Sequence, residues 1–314
     1  MASDADASPL VWIVLLNWNG WRDTDACLNS LAALNYSNFR VVVVDNASSD
    51  GSEGRLRALH PELTLLQSGA NLGFAGGNNI GLRYALANGA AYVWLLNNDT
   101  LVEPDALGEL VQKMRGNPAL GLCGSTLLYE AQRDTVQALG GARYNRWLGT
   151  VAHIGQHQPF RSDIDTDRGS MDEVAVERQL DYLIGASTLV SRAFLEEVGL
   201  LQEDYFLYFE ELDWAARAKG TFGLGYAAKS LVYHKEGSSI GGSDAAKDSK
   251  SYTSDFYSLR NRVRFTKRFY PYALPSVYGG LLIALANRLR RQQWDRVGLI
   301  FRIMLRAGEV ERSA

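Results

Sequence analysis

Cysteine is nearly absent: Cys27 and Cys123 are the only two in 314 residues. They have no CxxC spacing and no histidine partners, which argues against a zinc ribbon or a disulfide framework and fits a reduced, cytosolic chain. Long apolar runs are missing too. The longest near the C-terminus, 278–286, is too short to cross a bilayer. Neither sign of charge dominates. The 32 Lys and Arg against 35 Asp and Glu leave a net charge of −3, so nothing global favours nucleic acid as a partner. Residues 1–9 lack the basic and apolar regions of a signal peptide and read as a disordered lead-in. The first apolar run is not followed by GxGxxG but by Asn17-Trp18-Asn19-Gly20, which disfavours a dinucleotide cofactor.

What is present is an alternation of strand and helix signals. Residues 10–16, 40–44, 63–67 and 92–96 are apolar runs of strand length, and 23–34, 51–59 and 78–88 between them suit helices. Buried strands alternating with helices imply a parallel sheet covered on both faces. Ligands of such sheets sit beyond the carboxyl ends of the strands. Polar clusters recur there: Asn17 to Gly20, Asp45-Asn46, Asn71 to Asn79, and Asn97-Asn98-Asp99. One polar strand end is an ordinary turn; four at one rim make a site. Periodicity fades over 130–180, where 161–177 reads as a surface excursion. It returns as a strand over 183–190, a helix over 192–198, an approach strand and helix over 206–219, and a short strand over 231–233. A Gly/Ser-rich loop over 237–251 precedes helices over 256–269 and 281–306.

Several residues at these places carry chemistry. Asp99, just past a buried strand, suits a hard divalent cation such as Mg²⁺ or Mn²⁺, which shares oxygen ligands with substrate phosphates. Asp45 can accept from a base or ribose, or cap a turn. The glycines between Asn71 and Asn79 permit close backbone approach, and a helix start favours anions. Glu210, Glu211 and Asp213 follow an aromatic run. A carboxylate near an acceptor hydroxyl is a general base, and spacing alone does not choose among the three. His234 precedes the Gly-rich loop, and neutral imidazole binds Mn²⁺. Arg260 and Arg262 flank Asn261, and arginine suits phosphate. The tail arginines Arg288, Arg290, Arg291, Arg296, Arg302 and Arg306 fit either a helix on an anionic membrane or a face packed on its own domain or a second subunit.

In this order and spacing, the segments resemble the family 2 glycosyltransferases of the GT-A fold, bacterial rhamnosyltransferases above all. The resemblance covers roughly 11–271 and rests on Asn17-Trp18-Asn19-Gly20, 44–52, 71–79, 95–100, 208–214, His234 with Gly237 and Ser239, and Tyr257 with Arg260-Asn261. It implies an α/β fold with a mostly parallel central sheet flanked by helices. The catalytic domain would span 10–250, with a nucleotide-sugar half over 10–125 and an acceptor half over 126–250, followed by a helical extension over 251–314. It implies a nucleotide-diphosphate sugar donor, held by Asn17, Asn19, Asp45, Asn71, Gly73, Gly76, Asn78, Asn97, Asn98 and Arg260. A divalent metal (Mg²⁺ or Mn²⁺) would sit on Asp99 and His234, with Asn97 replacing the first carboxylate of an Asp-x-Asp motif. Glu211 matches the base of an inverting transfer, with Asp213 as second choice. The donor implied is dTDP-L-rhamnose, with UDP-sugars close behind. The acceptor would be a bacterial cell-surface glycan or lipid-linked glycan, reached from the cytoplasmic side, with the protein peripheral at the inner membrane face. A non-catalytic nucleotide-sugar binding subunit and a homodimer are the other readings.

Overall fold

The computed structural model describes residues 8–160, 172–235 and 251–306. The loop over 237–250, with Gly237 and Ser239, lies outside the described residues, as do 1–7 and most of the excursion over 161–177. The first half follows the alternation in the sequence. Strands β1 (Val11–Asn17), β2 (Phe39–Asp45), β3 (Thr64–Gln67) and β4 (Tyr92–Asn97) alternate with helices α1 (Trp21–Leu31), α2 (Ser52–Leu59) and α3 (Gly73–Ala87). They pair in parallel in the order β3-β2-β1-β4. The register sets Asn17 beside Asp45, Leu16 beside Asn97, and Asp45 beside Gln67. The polar ends therefore share one rim.

Helix α3 begins five residues before the sequence reading placed it. The glycine-rich segment read as a loop forms its first turns. Glycine disfavours helix on entropy, but here it sets a packing distance. Cβ atoms on Gly77 and Gly81 would lie 2.4 Å and 2.3 Å from side-chain atoms of Leu16 and Val14. Four residues of helix rise roughly 6 Å and two of strand roughly 6.6 Å, so the glycines step along β1 in register with one face of it. Helix α1 likewise starts earlier, at Trp21, so Thr24 lies inside it.

The second half departs from the sequence reading. Strand β5 (Thr100–Val102) and helix α4 (Ala106–Gly116) come first. The described residues of the stretch over 130–180 are not irregular. They hold β7 (Gln132–Leu139), β8 (Gly141–Asn145), β9 (Thr150–His153) and helix α5 (Glu173–Glu177), after a long β6 (Leu120–Tyr129). The single strand expected over 183–190 is two, β10 (Tyr182–Leu183) and β11 (Ser187–Ser191), followed by α6 (Arg192–Glu197). Strand β11 runs antiparallel to both β4 and β6, which carries the sheet into a mixed half with β12 (Gly223–His234) and β5. Strands β10, β8 and β9 form a separate three-stranded sheet.

No strand approaches helix α7 (Glu210–Ala218). The chain turns there with Phe206, Tyr208 and Phe209 at φ of 64°, 66° and 77°. Apolar side chains of β1 alternate between two cores: Val11, Ile13 and Leu15 face α1 and α4, and Trp12 and Val14 face α3 and α6. Helices α8 (Tyr252–Phe269), α9 (Leu274–Arg290) and α10 (Trp294–Leu305) close a third core; the last two replace the one helix expected over 281–306. No described helix is long and apolar enough to cross a membrane.

The α3–β1 contact can be tested directly. Gly81→Ala should lower the unfolding free energy by about 1–3 kcal/mol through overpacking, read as a lower urea midpoint at unchanged slope.

Candidate active site

The rim of the parallel half is joined by side chains. Asn98 Nδ2 donates to Thr24 Oγ1 at 2.9 Å, and Thr24 donates to Asn17 Oδ1 at 2.9 Å. Asn17 Nδ2 donates to Asp45 Oδ1 at 2.7 Å. Asp45 also accepts from Ser48 Oγ (2.6 Å), Ser48 N (3.2 Å) and Gln67 Nε2 (3.1 Å). A carboxylate has about four acceptor positions, and those of Asp45 are filled by its own protein. At 2 % exposure it acts here as the hub of the rim rather than as a free acceptor for a base. Asn19, exposed and at φ 53°, donates its backbone N–H to Ser48 Oγ and accepts from Ser49 N.

The residues expected as a phosphate wall fare differently. Asn71 remains exposed at the rim, accepting from Asn46 Nδ2 and Gly73 N. Gly73, Gly76 and Asn78 are buried in α3. A Cβ on Gly73 would lie 2.3 Å from Phe206 O, and Asn78 donates to Phe74 O. They are packing residues, not ligand contacts, because the helix begins where a loop was expected.

At the end of β4 a carboxylate, an amide and an imidazole meet. Strand β5 pairs with the end of β12, His234 opposite Thr100, which brings Asp99 to the histidine. His234 Nε2 stands 3.3 Å from Asp99 Oδ1 and 3.3 Å from Asn97 Nδ2. His234 Nδ1 is 2.9 Å from Gln137 Oε1, an acceptor, so the ring proton sits on Nδ1 and Nε2 presents its lone pair. A histidine oriented by an outer oxygen acceptor is the usual form of a metal-ligating imidazole. Adjacent ligands of an octahedral divalent ion lie roughly 3 Å apart. The pair therefore fits such an ion. The described residues hold no cluster of three or more His, Cys, Asp or Glu that could bind a metal by themselves.

The three carboxylates at the start of α7 separate cleanly. Asp213 is fully buried; its Oδ1 accepts from Arg217 Nε at 2.7 Å, and its Oδ2 from Arg268 at 2.8 Å and Tyr205 OH at 3.1 Å. It is a buried ion-pair centre and cannot take a proton from an acceptor, which corrects its reading as a second candidate base. Glu210 is buried, with Oε2 lacking a hydrogen-bond partner. Desolvation, then the charge of Glu211, push its carboxyl well above the usual range.

Glu211 is partly exposed and accepts from Gly185 N at 3.2 Å. Burial pushes its carboxyl up to about 6, against the backbone N–H groups of Glu211 and Gly185, which lower it. Gly185 has room for no side chain: a Cβ would lie 2.3 Å from Glu211 Oε1 and 3.0 Å from Phe74. The next residue, Ala186, accepts from Asn97 N at 3.0 Å. Two adjacent backbone groups thus tie Glu211 to the Asn97–Asp99 turn.

Arg260 is also corrected. Its guanidinium donates to Asp204 O, Tyr205 O and Asn261 Oδ1 and stacks on Phe256 and Tyr257. Asn261 Nδ2 reaches the carbonyls of Tyr205, Leu207 and Tyr208. Both residues brace the left-handed turn before α7, so Arg260 is not available to a diphosphate. Sequence reasoning missed Gln137 and Gly185. The first lay in a stretch without periodicity and the second inside a run read as one strand.

Comparison with known proteins agrees with this architecture. The model of "Glycosyl transferase family 2" matches residues 12–166. A low-salt glycan biosynthesis hexosyltransferase of Haloferax volcanii is 24% identical over 212 residues, 66% of this chain and 61% of that protein. An N-acetylglucosaminyl-diphospho-decaprenol L-rhamnosyltransferase of Mycobacterium tuberculosis is 24% identical over 265 residues, 80% of this chain and 84% of that protein. A dTDP-rhamnosyl transferase of Shigella flexneri is 25% identical over 192 residues, 60% of this chain and 57% of that protein. The chain thus spans less than two thirds of the first and third. Among solved structures, a mannosyltransferase of Pyrobaculum calidifontis in complex with GDP-Man and Mn²⁺ superposes with a TM-score of 0.57 at 16% identity. It covers 98% of this chain and 89% of that one, a likeness of fold.

Asp213→Ala should leave Arg217 and Arg268 without their shared carboxylate and cost about 3–5 kcal/mol. Glu211→Ala should leave the unfolding midpoint within experimental error. Chemical denaturation of the two variants compares them.

Proposed function

We propose, from the match of residues 12–166 to glycosyltransferase family 2 and from the named relatives, that the chain is a glycosyltransferase that transfers L-rhamnose from dTDP-L-rhamnose, with inversion, to a hydroxyl of a lipid-linked bacterial glycan. The observation that carries this reading is Glu211. It is a half-buried carboxylate raised toward neutrality and fastened through Gly185 and Ala186 to the Asn97–Asp99 turn. A base needs a pKa near the working pH and reach to the acceptor. Its tie to the Asn97–Asp99 turn supports a position on the acceptor side of the sugar, across from the departing diphosphate.

The donor's nucleotide lies across the exposed rim at Asn19 and Asn71, on the frame set by Asn17, Asp45 and Asn98. Asp99 and His234 hold the divalent metal, and Asn97 contacts ribose or diphosphate without adding charge. When bound, the metal supplies positive charge for the departing diphosphate. Glu211 accepts the proton of the acceptor hydroxyl as that oxygen attacks the anomeric carbon in line. Proton removal and the departing diphosphate lie on opposite sides of the sugar, so inversion follows. Rhamnose is favoured by the resemblance and by the names of two relatives. An acceptor at a membrane agrees with α9 and α10, where Leu282, Ile283, Trp294, Phe301 and Leu305 are exposed among arginines.

The test is transfer from dTDP- and UDP-sugars with Mg²⁺ or Mn²⁺ and an EDTA control. Turnover of dTDP-L-rhamnose above the UDP-sugars is expected; turnover of no donor under any condition would remove the reading. Glu211→Ala should abolish transfer while donor binding survives. Below about pH 6 the Glu211 carboxyl is protonated and cannot accept, so kcat/KM should rise with pH through about 6 and level off above it. A pH–rate profile without an acid limb near that value would exclude Glu211 as the base.

Among the described residues, this reading gives the metal two protein ligands, Asp99 and His234. Calorimetric titration with Mn²⁺ should therefore show weak binding to the empty protein and at least tenfold tighter binding with dTDP present. Equal affinity in both states would contradict this donor set.

A further inference from the structure

Arg260 was the arginine that sequence favoured for phosphate, yet carbonyls fill its guanidinium, and it is the neighbouring Arg262 that keeps a buried N–H unpaired among the described residues. Arg262 Nε is buried and has no hydrogen-bond partner among the described residues. Its stem lies against Gly149, whose φ of 63° and lack of a Cβ make the space: a Cβ there would come within 2.5 Å of Arg262 Cγ. Burial lowers the guanidinium pKa, with Tyr144 as the group facing it. An arginine desolvated with no carboxylate beside it is costly unless an anion arrives to share the pocket. The carboxylate of Asp181 is already engaged, accepting from Tyr144 N at 2.7 Å.

The surroundings say which anion. The turn joining β8 to β9 and the turn after α8 present an aromatic ledge: Trp147 and Tyr272 meet edge to face at 5.4 Å, Tyr270 follows at 6.2 Å, and Tyr144 stacks on Tyr270 at 6.0 Å. Trp147, Leu148, Val151 and Tyr272 are about half exposed, as an apolar surface awaiting a partner is. Arg143 and Arg146 are exposed on the same hairpin. A diphosphate for the guanidinium and an apolar chain for the ledge are the two ends of one molecule, a prenyl diphosphate.

The place in the fold says which substrate. From the cation pair, the contacts run Asn97 to Ala186, then Gly185 to Glu211, then Leu183 across to Gly141 and Tyr182 to Ala142 of β8, and on to Tyr144 beside Arg262. On α8, Ser254, Ser258, Arg262 and Thr266 recur every four residues, each next to the one before it on a row that winds slowly around the helix. Ser254 Oγ is 3.0 Å from Tyr208 OH at the Glu211 end, and Thr266 Oγ1 is 3.5 Å from Tyr144 OH at the other. From Ser254 to Arg262 is roughly 12 Å of helix, room for a sugar between the base and a diphosphate.

We propose that Arg262, with the Trp147–Tyr272 ledge, forms the subsite for the prenyl diphosphate of a lipid-linked acceptor. This rests on the proposed transfer to such an acceptor, but binding can be read without the reaction. The full chain is titrated with farnesyl diphosphate, farnesol, inorganic pyrophosphate and dTDP, followed by tryptophan fluorescence. Farnesyl diphosphate should bind at least tenfold more tightly than farnesol or pyrophosphate and should not be displaced by dTDP. Arg262→Met, which keeps the stem against Gly149, should weaken it tenfold or more. Arg262→Lys should recover part of the loss, and Trp147→Ala should weaken farnesyl diphosphate but not pyrophosphate. No binding of farnesyl diphosphate, displacement by dTDP, or unchanged affinity in Arg262→Met would each overturn the subsite. Hydrolysis of dTDP-L-rhamnose by the unaltered protein reads the transferase proposal separately: its absence alongside intact prenyl-diphosphate binding would remove the reaction and leave the subsite standing.

Discussion

The chain of hydrogen bonds from Asn98 through Thr24 and Asn17 to Asp45 holds the site together, because it ties strand ends that would otherwise be independent turns. Each member is buried, and a buried polar group left unpaired costs more than a made hydrogen bond returns. The chain therefore has to be complete or absent. Completeness fixes the relative height of β1, β2 and β4, and hence where Asn97 and Asp99 leave the sheet. The parallel register does the rest by setting Asn17 beside Asp45 and Leu16 beside Asn97.

A second constraint aims Glu211. Three non-glycine residues in left-handed backbone immediately before α7 are held by the side chains of Arg260 and Asn261, which take up the carbonyls the turn leaves free. Such strain persists only where the surroundings over-determine it. Here the surroundings are α8, so that helix sets the geometry of a carboxylate carried by α7. Asp213, one turn along α7, anchors the same helix through Arg217 and Arg268. The three acidic residues thus divide into an anchor, a buried neighbour and the one that remains accessible.

The two arginines of α8 show the same logic. Arg260 and Arg262 are two residues apart and so point to different sides of the helix. One meets a ring of carbonyls and the other Gly149 and Tyr144. Nothing local to either residue distinguishes them; the partner surface does.

Much was legible without the structure. The alternation of apolar runs and helical segments determined the parallel half, and the polar residues at the strand ends determined which rim carries chemistry, because both are short-range properties of period and position. Asp99 and His234 stood out as residue types suited to a cation. Tertiary structure alone decided the rest. Strand β6 is buried along nearly its whole length and carries Gly, Ser and Thr among its apolar residues, so no alternation marks it; its Ser125 is satisfied only by Ser187 and Ser230, far along the chain. The glycines after Asn71 read as a loop until β1 was there to require them. Which carboxylate is accessible, which arginine keeps a buried N–H unpaired among the described residues, and that Gln137 orients His234 all depend on what the opposite surface offers, and burial and pairing are properties of the packed molecule rather than of any segment.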